Sequence, residues 1–432
     1  MKALYSPLIL ILALMIACKN NTEKIAAPAK VAIEQNDDSY QLFVNGEPFY
    51  IKGAGLEFGQ IDALASHNAN SFRTWRTDNG QKTGKQVLDE AYKNGLYVTM
   101  GIEVARERHG FDYSDHAAVK EQYDRIKQEV LELKDHPALL IWAIGNELNL
   151  RNTNPKVWDA VNDISRMIHE VDANHLTTTT LAGIDQTQID YIKARCQDLD
   201  LLSIQMYGDL DQLPLKIKEY DWTGPYIVTE WGATGHWEVP TTEWGAPIEE
   251  NSSIKAAKYL DRYNNSIAID TKQCLGSYVF LWGHKQERTP TWYGIFSENG
   301  KETESVDVMH YIWNDKWPEN RSPQVKTFYL NGKTAYENII LEPDTLANAM
   351  VEIKDPEDDT LAYTWEILPE STDLKDGGDF EGRPQSIDVK TLKNNLGNFE
   401  FKTPKKGAYR LFVYASDEDN NIATSNIPFF IK

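Results

Sequence analysis

Only three cysteines occur in 432 residues, at positions 18, 196 and 274. So sparse a set builds no disulfide framework, and a chain long enough for a large hydrophobic core needs none. No cysteine pair has metal-ligand spacing and no His-Glu-x-x-His segment occurs, so neither a metal site nor a cofactor is expected. Positive charge is also short, with 44 Lys and Arg against 65 Asp and Glu and a formal net charge of -21. No basic tract reverses that balance locally, which argues against nucleic acid as a partner and for a neutral ligand. No apolar run reaches the ~20 residues a spanning helix needs, so no transmembrane anchor is expected.

What the chain does have begins with a short leader. Lys2 precedes the apolar run Leu8 to Ile16, and Ala17 stands before Cys18, the layout of a cleaved secretory signal. Met15-Ile16-Ala17-Cys18 resembles a bacterial lipoprotein signal, which implies lipidation of Cys18 and an envelope protein held to the membrane through that anchor alone. Residues 1–18 are then signal and anchor and residues 19–30 a tether. Cys196 and Cys274 are expected as buried free thiols.

From residue 31 to 317, short β-branched apolar runs alternate with helical periodicity, the pattern of a parallel sheet built from βα units. An Asn45-Gly46 turn between two short strands predicts a hairpin plug at a barrel floor. Eight strand runs follow: 49–55, 72–76, 97–104, 139–147, 176–181, 201–207, 226–231 and 275–282. Between them Val119, Tyr123, Ile126, Val130 and Leu133, and again Val157, Val161, Ile164, Ile168 and Val171, keep helical spacing. Eight alternations over this length predict a (β/α)8 barrel, and no glycine-rich phosphate turn follows the first strand to support an open doubly wound sheet. Residues 318–324 read as a linker. Residues 325–432 alternate in the manner of strands and predict an immunoglobulin-like β-sandwich, expected to be an autonomous module. The acidic clusters Asp355 to Asp359 and Asp417 to Asp419 read as solvated turns rather than calcium sites.

Barrel chemistry sits at the C-terminal strand ends. Glu147 closes the fourth strand in Trp142-Ala143-Ile144-Gly145-Asn146-Glu147, and Glu230 closes the seventh in Ile227-Val228-Thr229-Glu230-Trp231-Gly232. Glycoside hydrolysis needs one carboxyl to protonate the leaving oxygen and a second on the other face of the sugar. Two glutamates facing one another across an aromatic-rich mouth supply that pair. Glu57, Glu103 and Glu287 compete for the same mouth, without a preceding Asn. Arg106, Arg108, His109, His236, Trp237, Trp244 and the run from His284 to Trp292 supply faces and hydrogen-bonding groups suited to sugars.

Asn146-Glu147 with Glu230 resembles the retaining glycosidases of clan A, which carry an Asn-Glu pair on strand four and a nucleophilic Glu on strand seven. The barrel looks closest to the family 2 type, and the barrel-plus-sandwich lipoprotein layout also resembles bacterial endo-β-1,3-glucanases of family 158. The resemblance implies a β-linked carbohydrate substrate, with Glu147 as acid/base and Glu230 as nucleophile. It further implies that Asn146 binds the sugar 2-hydroxyl, that Arg73 and Tyr207 hold Glu230, and that Trp282 offers a stacking face. Trp231, beside the nucleophile, joins this substrate-binding set. A barrel that only binds glycan at the surface, and a transglycosylase using the same covalent intermediate, remain open alternatives.

Overall fold

The computed structural model describes residues 27–432. The leader, Cys18 and most of the tether lie outside the described residues. Eight parallel strands close a barrel, and they are numbered first to eighth in chain order: Ile51–Gly55, Ser71–Arg73, Tyr97–Ile102, Leu139–Asn146, Leu176–Ala182, Leu202–Gln205, Tyr226–Glu230 and Cys274–Val279. The fourth strand is buried at every position, because its two faces pack on the barrel interior and on the outer helices at once.

Those helices follow from the sequence pattern. His116–Leu133 starts at Asp115, whose carboxylate accepts from the amides of Ala117 and Ala118, and it buries Ile126, Val130 and Leu133. Lys156–Val171 buries Val157, Val161, Ile164 and Ile168 on one stripe. Below the barrel lies a three-stranded sheet of Val31–Asn36, Ser39–Val44 and Glu47–Phe49. Asn45 and Gly46, with φ of 55° and 85°, make the left-handed turn that a two-residue hairpin requires. Leu42 and Val44 pack against Ile51, Leu140, Leu201, Ile227 and Leu275 at the strand starts, so the sheet plugs the floor. The expected hairpin gains Val31–Asn36 as a third strand.

After the last barrel helix, Glu304–Asn314, the chain enters two four-stranded sheets. One holds Gln324–Leu330, Leu346–Lys354, Asn398–Lys402 and Thr391–Asn395, and the other Ile339–Leu341, Ile422–Ile431, Gly407–Ser416 and Ala362–Pro369. Alternate residues such as Ala347, Ala349, Leu411, Phe401 and Phe429 fill the space between them, as in a β-sandwich.

The sandwich, expected as an autonomous module, shares a buried polar interface with the barrel. Asn426 donates to the buried Glu249 (2.7 Å), Arg410 to the Pro247 carbonyl (2.8 Å) and the Val325 amide to Ser253 (2.9 Å). Glu249 also pairs with the buried Lys255 at 2.5 Å. Stripping the sandwich away would remove partners from a buried charged network, which costs more than losing exposed contacts. Polar contacts of this sort leave no periodic trace in a sequence. Nor are the acidic turns simply solvated: Asp355 and Asp417 are buried, each capping the amides of its own turn. Cys196 and Cys274 are buried, without a disulfide.

Candidate active site

Glu230 ends the seventh strand with its carboxylate facing three donors. Oε1 accepts from Arg73 Nη1 (3.1 Å) and Trp75 Nε1 (2.8 Å), and Oε2 accepts from the Tyr207 hydroxyl (2.8 Å). Arg73 is fully buried beneath it, with its guanidinium 4.8 Å from the centre of the Trp75 ring. Burial, reinforced by the charges on Glu230 and Glu147, holds the Tyr207 phenol well above its ordinary range. Tyr207 therefore stays protonated and remains a donor.

The same guanidinium reaches the fourth strand. Arg73 Nη2 donates to Asn146 Oδ1 (2.8 Å), which also accepts from Gln205 Nε2 (2.9 Å) and Thr180 Oγ1 (3.2 Å). With its oxygen saturated, the Asn146 amide presents its NH2 to a ligand. At Gly145 and Glu147 the backbone turns left-handed, φ 74° and 52°, where the pairing of the fourth and fifth strands slips between Ala143 and Asn146. Such a bulge re-aims a side chain at a strand end, and the Glu147 amide is held there by the Thr180 carbonyl (3.0 Å). Burial, with repulsion from Glu230 second, pushes the Glu147 carboxyl up to about 7 against the pull of Arg108, Arg106 and Arg73. One glutamate thus faces donors while the other retains a proton near neutrality, and both line a cavity of 1390 Å³ at the C-terminal mouth.

Other expected residues take different settings. Trp282 borders the cavity but is fully buried, its ring packed on His67, Phe296 and Trp313 and its Nε1 donating to the Gln60 carbonyl, so its ring presents no open face. Trp231 is also fully buried, wedged against Tyr259 and Tyr263, because alternation sends the residue after Glu230 outward toward the helices. Arg73 lies beneath Glu230 and positions it rather than meeting substrate. Trp237, 61% exposed, carries an aromatic ring into the cavity. Glu57, Glu103 and Glu287 line the cavity as well; Glu57 pairs with Arg76 and Glu287 with Lys285. Trp244 packs on Phe430 of the sandwich. Sequence reasoning missed Trp75 and Gln205. Each lies two residues from a residue singled out, Arg73 and Tyr207, and the strand-end rule that located Glu147 reaches both. Among the described residues the one group of carboxylates close enough to share a cation is Asp355, Asp359 and Asp417, in the sandwich and not at the mouth.

Residues 59–287 match the family described as glycosyl hydrolases family 2, TIM barrel domain, over more than half of the chain. The chain belongs to that family. Its barrel is of the glycosyl hydrolase family 2 type, and the match supports the first of the two resemblances drawn from sequence but not the one to family 158. No curated protein matches the chain. Among solved structures, β-glucuronidase 2 of Bacteroides uniformis aligns with 93% of this chain and 48% of its own at 13% identity and a TM-score of 0.52. The β-glucuronidase of Bifidobacterium dentium aligns with 66% of this chain and 49% of its own at 18% identity and a TM-score of 0.51. At such identities the likeness is one of fold. The family 2 chain described here spans about half the length of those two structures.

Proposed function

We propose that the protein is a retaining β-glycosidase acting on a β-linked oligo- or polysaccharide. The observation that carries this reading is the unlike setting of the two glutamates: three donors face Glu230, while the carboxyl of Glu147 is raised to about 7. Environments that separate two carboxyls in this way assign acid and nucleophile. Glu230 attacks the anomeric carbon as Glu147 passes its proton to the leaving oxygen, and the glycosidic C–O bond breaks to leave a glycosyl ester on Glu230. Glu147, now ionised, takes a proton from water as the water oxygen attacks the same carbon and releases Glu230. The free NH2 of Asn146 is placed to donate to the 2-hydroxyl.

The cavity of 1390 Å³ exceeds the ~300–1,000 Å³ usual for small-molecule sites, which favours a chain of sugars over a single ring. A β-1,3-glucan is the substrate proposed first. The Ala17-Cys18 junction supports action outside the cytoplasm on a lipid anchor. The test is proton NMR of the first product formed from a β-linked substrate. A β-anomer is expected, and a first-formed α-anomer would end the retaining assignment. In Glu230→Ala, azide should restore cleavage of an activated β-glycoside and give the α-azide.

A further inference from the structure

The sandwich sends one long connection, between its strands Ala362–Pro369 and Thr391–Asn395, down onto the barrel mouth. Asp376, Gly378, Phe380 and Glu381 line the same cavity as Glu147 and Glu230. Three barrel loops hold this segment. Glu381, 1% exposed, accepts from the Arg288 amide and guanidinium, both at 2.6 Å. Asp379 Oδ2 lies 2.9 Å from His109 Nε2, and Arg151 pairs with Asp376. Lys285 donates to the Gly378 carbonyl at 2.8 Å. Gly377 and Gly378 are both left-handed, φ 60° and 72°, and a Cβ on Gly377 would stand 2.8 Å from Arg108 Nη2 and from a Leu150 methyl. The glycine pair is what lets the chain lie so close to the barrel.

Beside the buried Glu381 stands Phe380, 84% exposed. Burying a phenyl ring stabilises a fold, and here that gain is forgone within a segment tied down on both sides. A ring kept in water at the lip of a cavity is placed for a ligand rather than for the core. Trp282 and Trp231 are enclosed, so the exposed aromatic surface lining this mouth falls to Phe58, Trp237 and Phe380, and Phe380 is the most exposed of the three. We propose that Phe380 is a sugar-binding subsite, supplied by the sandwich, that stacks on a pyranose ring of the β-linked chain away from the cleaved bond. This rests on the glycosidase reading. The ligand class is an uncharged pyranose, whose C–H face meets an aromatic ring while its hydroxyls stay in water.

A remote subsite affects long substrates and leaves short ones alone. In Phe380→Ala, KM for a β-linked polysaccharide should rise about tenfold, the scale of one aromatic contact, with kcat little changed. Turnover of an aryl β-monoglycoside should stay within about twofold of wild type. Phe380→Trp should keep the preference for long chains, and Glu381→Ala, which frees the segment, should resemble Phe380→Ala. An unchanged dependence on chain length in Phe380→Ala, with the fold verified by circular dichroism, would overturn the subsite. Affinity electrophoresis through gels holding laminarin, β-1,4-mannan or β-1,4-galactan reads binding apart from cleavage. Retardation that Phe380→Ala abolishes, in a protein that cleaves none of the three, would uphold the subsite and refute the glycosidase reading. A wild-type protein neither retarded by nor active on any of them overturns both.

Discussion

Glu147 should set the alkaline limb of the pH–rate profile. With its carboxyl pushed up to about 7, about nine in ten molecules hold the proton at pH 6 and about one in ten at pH 8. A leaving oxygen that departs only with a proton then sees kcat/KM fall about tenfold across that window. Alkyl and unsubstituted phenyl β-glycosides should show the full fall. A dinitrophenyl glycoside, whose leaving group departs unaided, should show little of it. Glu147→Gln removes the titrating group, so its profile should be flat from pH 6 to 8, slow for the poor leaving groups and nearly unimpaired in the glycosylation step for the good one. Asp307 offers a control, because burial raises its carboxyl to about 7 as well, outside the cavity lining and beside the Ser322 amide. An alkaline limb that survives in Glu147→Gln and vanishes in Asp307→Asn would refute the assignment. An equal fall with both classes of leaving group would do the same.

Three further outcomes follow from the geometry. Trp75→Phe keeps the ring and loses one donor to Glu230, so kcat should fall about tenfold with KM little changed, as read in steady-state kinetics on an aryl glycoside. Because folding raises the Glu147 carboxyl from its ordinary 4.5 to about 7, its contribution to stability is whole below pH 4.5 and lost as pH climbs to 7. Glu147→Gln should therefore gain on wild type across that window, by at most about 2–3 kcal/mol given that the carboxyl partly meets cavity water, and thermal melts at pH 4.5 and 7.5 would show whether the gap widens. Ending the chain near Pro323 should lower the melting temperature of the barrel and cut turnover of polysaccharide, since Glu249 loses Asn426 and the mouth loses its sandwich segment; a truncated protein that melts and cleaves as the full chain does would contradict this.

The barrel was readable because its signals are periodic. Strands buried on both faces, such as Leu139–Asn146, and helices with one apolar stripe, such as Lys156–Val171, announce themselves residue by residue. The place of Glu147 and Glu230 at the mouth was readable because strand ends are what a barrel presents there. Trp282 and Trp231 were misplaced for a physical reason: residue type alone does not say which way a ring turns at the rim, and both went into packing. The segment around Phe380 was invisible because it approaches the mouth through ion pairs between residues up to 271 positions apart, and a charged residue in a loop looks the same in sequence whether it meets water or a distant partner.

One guanidinium joins the ends of the fourth and seventh strands. Arg73 touches Glu230 and Asn146 at once, whereas among the described residues no side chain donates a hydrogen bond to the Glu147 carboxyl. A lineage drifting toward glycan binding without cleavage would therefore meet unequal obstacles: replacing Glu230 strips the buried Arg73 of its carboxylate and takes the acceptor from Trp75 and Tyr207, whereas replacing Glu147 breaks no side-chain hydrogen bond. Descendants that have given up catalysis should be found with Glu147 altered and the Arg73, Asn146 and Glu230 cluster still intact, a fossil of the chemistry kept for the sake of the fold.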